Sequence, residues 1–141
     1  YGFEKITNEN IDEIIEFTKN FTFNSEKDSS AQTELDICLS VLENYERYGM
    51  LGGALRINGK IAGYSIGEIT GDTLIVHIEK ADVSYHGAYQ MVTNSFLRMY
   101  ADDSVKFVNR EEDCGDEGLR KSKLSYNPVE LIEKSTVKIK I

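Results

Sequence analysis

The stretch from Leu51 to Glu79 reads LGGALRINGKIAGYSIGEITGDTLIVHIE, and its punctuation decides the fold. Asn58-Gly59 separates two runs that carry Leu, Ile, Ala and Tyr. A two-residue hairpin that matches strand twist needs positive φ at both turn positions, and Asn and Gly accept it at the least cost. Residues 51–57 and 60–69 are therefore expected to pair as antiparallel strands. Gly71-Asp72 repeats the signal and hands the chain to a third strand, Thr73–Glu79. Three strands arrive as a meander with tight turns.

Downstream the period changes from two to 3.6. Ala88, Met91, Val92, Ser95, Phe96 and Met99 form one stripe of a helix expected over 85–101. Val105–Arg110 then reads as a short strand, Asp116 caps a helix to about Tyr126, and Pro128 stops it. At the chain's end Ser135, Val137, Ile139 and Ile141 alternate with Thr136, Lys138 and Lys140, an edge strand guarded by lysines. Upstream, Ile11, Ile14, Ile15 and Thr18 fall at i, i+3, i+4 and i+7 and predict a helix over 9–20. After a polar loop, Ser29 and Gln32 fit a capping box that opens a second helix over 30–48. Leu35, Cys38, Leu39, Leu42 and Tyr45 face inward from it, and Gly49 ends it. The order is helix, helix, then β-β-β-α-β-α-β. That is an α/β (α+β) chain with a mixed central sheet and helices on both faces, a single domain over 1–141.

The totals narrow the function. At 141 residues the chain is one ordinary domain, and a net charge of −8 argues against broad binding to a phosphate backbone. Cys38 and Cys114 are the two cysteines, too few for a disulfide framework, so a reducing, cytoplasmic setting is expected. Apolar runs such as Leu74–Val76 fall far short of the ~20 residues a membrane span requires, and no charged-then-apolar leader is present. No G-x-S-x-G elbow, P-loop or G-x-G-x-x-G fingerprint occurs.

Four strings go further: GGALRINGKIAGYSIGE, HIEKAD, GAYQ and VNREEDCGDEGLRKSKLSYNP. Together they resemble the C-terminal half of an uncharacterised bacterial family grouped with the catalytic domain of phosphatidylglycerol lysyltransferases. The resemblance implies a GNAT-like fold, and transfer of an acyl or aminoacyl group from a thioester or an aminoacyl-tRNA to an amine or hydroxyl acceptor. Members usually hold two tandem GNAT-like domains, so an N-terminal partner domain is expected beyond this chain. It also implies a donor lying in a gap between Thr73–Glu79 and Val105–Arg110, with acyl-CoA or aminoacyl-tRNA as donor substrate and no covalently bound cofactor.

Site residues follow from that resemblance together with the chemistry of each position. The helix start at His86, Gly87, Ala88, Tyr89 and Gln90 offers free N–H groups and a positive dipole end to the donor's anionic head. Here Val83–Tyr89 departs from the usual pattern of acetyl-CoA users: it has one glycine and no basic residue ahead of it. An ordinary helix start is the alternative. Glu79, placed by alternation on the side of Ile75 and His77, is the expected general base, or else pairs with Lys80 or Arg110. Tyr126 is the expected acid for the leaving group, or a packed tyrosine. Asn109, Arg120 and Lys123 are expected donor contacts, while Arg110, Glu111 and Asp113 are expected to draw in the acceptor. The alternative for that charged stretch is a solvated helix whose acids and bases complement its dipole. No metal is expected, because His77 and His86 stand on different elements. A tRNA donor is disfavoured by charge. The rival reading is a binding module that keeps the fold without the chemistry.

Overall fold

The alternation in 51–81 is realised as three long antiparallel strands, and the remaining elements pack around them. The computed structural model describes residues 1–23 and 29–110. Strand β1 (Gly2–Lys5) leads to α1 (Ile11–Phe23) and α2 (Ser29–Glu43). Then come β2 (Leu51–Ile57), β3 (Lys60–Thr70), β4 (Thr73–Ala81), α3 (Ala88–Tyr100) and β5 (Phe107–Asn109). The sheet order is β1-β2-β3-β4-β5. Neighbours are antiparallel except β4 and β5, which are parallel and joined through α3.

Both hairpins form where their turn residues stand. Asn58 and Gly59 take φ of 52° and 80°, and Gly71 takes 61°. Helices cover both faces of the sheet, as the sequence leads one to expect. On one face α1 and α2 bury Ile14, Cys38 and Leu42 against Ala54, Tyr64, Ile66 and Ile78. On the other, Ala88, Val92 and Phe96 of α3 meet Leu55, Ala62, Ala81, Leu74 and Val76. The turn after α2 closes as a Schellman motif. Met50 N–H donates to the Tyr45 carbonyl (3.3 Å) and Gly49 N–H to Glu46 (3.1 Å), with Gly49 at φ 64°.

Several expectations shift. The first strand, β1, is absent from the sequence reading; it pairs with β2 from Gly2↔Arg56 to Lys5↔Gly53. Asn10 ties it to α1 by donating to the Lys5 carbonyl (2.9 Å) while accepting from Thr7 N–H (2.8 Å). Helix α1 lies at 11–23 rather than 9–20, and α2 stops as a regular helix at Glu43 rather than 48. Gln32 donates to Asp36 one turn on (3.0 Å), and the Ser29 side chain of the expected capping box lies outside the described residues. Strand β5 holds only 107–109 of the expected 105–110. The expected helix from Asp116 and the edge strand 135–141 lie outside the described residues.

One departure matters for function. Ile66 pairs with Ile78 but Gly67 pairs with Val76, so β4 carries one extra residue, His77, in a β-bulge. A bulge reverses the alternation beyond it. Leu74 and Val76 belong to the α3 core, whereas Ile78 belongs to the α1–α2 core. Lys80 follows Ile78, with its ammonium 5.6 Å from the Phe21 ring centroid and an ion pair to Glu34 of α2. Ala81 returns to the α3 side.

Candidate functional site

The bulge corrects the expected place of Glu79. Alternation from Ile78 and Ala81 turns Glu79 to the α3 face, with Leu74 and Val76, not to the side of Ile75 and His77. Glu79 is half-buried there, and Lys80, bound to Glu34, points the other way. Its register partner across the strand is Ser65. Ser65 is fully buried and its hydroxyl has no hydrogen-bond partner among the described residues.

His77 lies on the opposite face. Its Nε2 is 2.9 Å from Glu68 Oε1, a carboxylate on β3, and both side chains are partly exposed. The sequence reading weighed His77 only as a metal ligand. Its pairing with Glu68, nine residues upstream, needs the β3–β4 register and the bulge, which no local pattern supplies.

Among the described residues strand β5 runs beside the first three residues of β4: Thr73↔Phe107, Leu74↔Val108 and Ile75↔Asn109. Strand β4 continues for six residues past Ile75, to Ala81. Asn109 is thus the last residue of β5 paired with β4 among the described residues.

At the far end of β4 the chain turns into α3. Asp82 N–H donates to the Ala62 carbonyl (2.8 Å), and the Asp82 side chain accepts from Ser84 N–H (2.9 Å). Gly87 is the N-cap, at φ 78°, with no side-chain cap. Few L side chains adopt that conformation, and the nearest atom to a Cβ placed there would be 4.0 Å away, so the approach is open. His86 and Gln90 are exposed, Ala88 is buried and Tyr89 is half-buried. Burial pushes the Tyr89 phenol up, with a backbone hydrogen bond at Ala81 opposing it. That contact brings the α3 start to the end of β4. The first-turn N–H groups of Tyr89 and Gln90 have no intrahelical acceptor, as at any helix start.

The structure therefore brings Glu79, Tyr89 and the Gly87 helix start together along β4. Arg110 is the last described residue and lies outside the compact unit Tyr1–Asn109. Glu111, Asp113, Arg120, Lys123 and Tyr126 lie outside the described residues. A cavity of about 580 Å³ opens elsewhere, between α1 and the Gly59–Ile61 turn, with Phe17, Phe21 and Val83 in its lining. None of the expected site residues lines it.

A mixed sheet with β4 and β5 parallel through α3, and helices on both faces, is the fold of GNAT acetyltransferases. An aminoglycoside N-acetyltransferase solved in complex with CoA has it too: TM-score 0.68, 8% identity, 99% of this chain and 93% of that one. Closer in sequence is a conserved protein of unknown function from Bacteroides thetaiotaomicron. It is 36% identical with a TM-score of 0.80, covering 92% of this chain and 45% of that one. The chain belongs to the family described as phosphatidylglycerol lysyltransferase, C-terminal, whose model matches residues 2–138. An uncharacterized protein of Mycoplasmoides gallisepticum is 26% identical over 114 residues, 81% of this chain and 37% of that protein. The chain thus spans less than half the length of these two relatives.

Proposed function

We propose that this domain transfers an acyl or aminoacyl group, from a thioester or an aminoacyl-tRNA, to an amine or hydroxyl acceptor held in the same complex. The observation that carries this reading is the short β4–β5 pairing beside a long β4 that ends at the start of α3. An extended, amide-bearing donor arm would lie along β4 as an added strand, its backbone-like groups bonding to the strand. Its anionic head would rest on the N–H groups and positive dipole end at Gly87–Gln90. CoA has both features. The CoA-bound acetyltransferase of the same fold supports it as donor, and the family's description supports the aminoacyl alternative.

In this reading the acceptor loses a proton to a β4 side chain, for which the sequence puts forward Glu79, and Tyr126 protonates the leaving group. Asn109, Arg120 and Lys123 would contact the donor, and Arg110, Glu111 and Asp113 the acceptor. Orientation of the two substrates can supply up to ~7–11 kcal/mol of the barrier reduction. The greater length of the relatives supports a partner domain, placed N-terminal by the resemblance, and the cysteine usage supports a cytoplasmic setting. Among the described residues no helix is long and apolar enough to cross a membrane.

Calorimetry with CoA, a longer acyl-CoA and an aminoacyl-tRNA tests the reading. Saturable binding of a CoA thioester is the expected result. Binding of the aminoacyl-tRNA alone would reassign the donor. Silence with all three would leave a binding module that keeps the fold.

A further inference from the structure

We propose that the cavity of about 580 Å³ beside α1 is a binding site for a small organic cation, an ammonium carried on an apolar body. The proposal stands on the cavity and does not need the donor reading. Helix α1 builds one wall. Glu13, Glu16 and Asn20 recur at i, i+3 and i+7, and Phe17 and Phe21 at i and i+4, so two neighbouring stripes of the helix line it. Gly59, Lys60 and Ile61 at the start of β3, with Asp82 and Val83 after β4, build the other wall. These two segments are tied together, because Asp82 N–H donates to the Ala62 carbonyl (2.8 Å). The volume falls within the ~300–1,000 Å³ that small-molecule sites occupy.

The walls set the chemistry of the occupant. The Phe17 and Phe21 rings lie 5.8 Å apart, and Phe17 is fixed from behind by its edge contact with Tyr64. With Ile61 and Val83 they offer an apolar surface to a carbon body. Val83 is 79% exposed, so a body resting there takes apolar surface out of water. Charge then fixes the sign. Three carboxylates line the cavity, Glu13, Glu16 and Asp82, against one ammonium, Lys60. Arg56 neutralises Glu13 at 2.9 Å, whereas Asp82 accepts only from Ser84 N–H and keeps its charge. Glu16 has no ion pair among the described residues. The Lys80 ammonium stands 5.6 Å from the Phe21 ring centroid, but Glu34 matches its charge. Two carboxylates therefore face one ammonium. Among the described residues no group of side chains could hold a metal ion, so these acids do not gather around a point. Spread over aromatic walls, they suit an ammonium with a carbon frame, which also gains from the ring faces.

Phenethylammonium is the probe, with phenethyl alcohol and 3-phenylpropionate as its neutral and anionic counterparts. Amide spectra of the chain are expected to show saturable shifts with the ammonium, concentrated at 13–21, 59–61 and 82–83. The alcohol should bind ~2–5-fold more weakly and the carboxylate more weakly still. Glu16→Gln is expected to weaken the ammonium ~2–5-fold, and Lys60→Gln to strengthen it by a similar factor. Val83→Ser should weaken all three probes while leaving the unfolding midpoint in place. Equal affinity for the ammonium and the carboxylate, a shift of affinity in the same direction for Glu16→Gln and Lys60→Gln, or no saturable shift at these segments would each overturn the proposal. Binding of the ammonium alongside saturating CoA would support a separate site. Displacement of the ammonium by CoA would make the cavity part of the donor's site and overturn it, whereas failure of CoA to bind would remove the donor reading alone.

Discussion

Tyr64 shows how much one side chain ties together. It has no exposed surface, its hydroxyl is 2.9 Å from the Thr18 hydroxyl, and its ring meets Phe17 edge-on at 6.1 Å. Burial pushes its phenol up, and burial likewise raises the neighbouring Cys38 thiol. Tyr64→Phe keeps the packing and loses the hydrogen bond, so urea unfolding is expected to show a loss of ~1 kcal/mol. Tyr64→Ala also leaves a cavity and is expected to cost ~3–5 kcal/mol. Equal losses for the two would mean that the hydroxyl, not the ring, sets the effect. Arg56 gives a second test. It binds Glu4 at 2.7 Å and Glu13 at 2.9 Å. Its hydrogen bond holds the Glu13 carboxyl below the usual range. A lowered carboxylate adds stability above its unfolded value, and that contribution is lost as pH falls through the folded one. Glu13→Gln is therefore expected to be slightly less stable than wild type at neutral pH. The two unfolding midpoints should converge below about pH 4. A constant gap across that range would show that the ion pair contributes nothing through titration.

Among the elements, β4 decides the geometry of the site, and Gly67 decides β4. A Cβ at Gly67 would run into the Ile75 carbonyl oxygen, a backbone atom that cannot move aside cheaply. Gly67→Ala is expected to cost ~1–3 kcal/mol in urea unfolding, and to shift the amide signals of Val76–Ile78. A variant as stable as wild type with those signals in place would show that the bulge does not depend on this glycine. The hairpins were legible because Asn58-Gly59 and Gly71 carry their backbone conformation in their chemistry. Helix α3 was legible because its stripe repeats over four turns. Strand β1 was not, since four residues with one large apolar side chain show no period. The bulge left one signal, a glycine inside a strand pattern, which marks such irregularities. Without it, strict alternation put Glu79 on the wrong face, and the link from Glu68 to His77 stayed hidden.

At the scale of the molecule, family membership and fold agree with what HIEKAD and NREED implied, and both helix layers sit where the meander leaves room for them. The proposed reaction is less legible, because it depends on how β5 runs beside β4, a long-range feature seen as pairing at three positions among the described residues. The relatives' greater length is compatible with the proposed partner domain. Activity of the longer protein is then expected to exceed that of this domain alone, as turnover of acetyl-CoA would show. Equal rates would make this domain sufficient. The central claim is that β4 and the start of α3 hold the donor. Backbone amide spectra recorded through a CoA titration test it most directly. Shifts are expected to concentrate at Val76–Ala81 and Gly87–Gln90, and to weaken when Gly87→Val, strained at φ 78°, disturbs the helix start. Shifts confined to the α1 cavity around Phe17 and Lys60, or no shifts at saturating CoA, would contradict it.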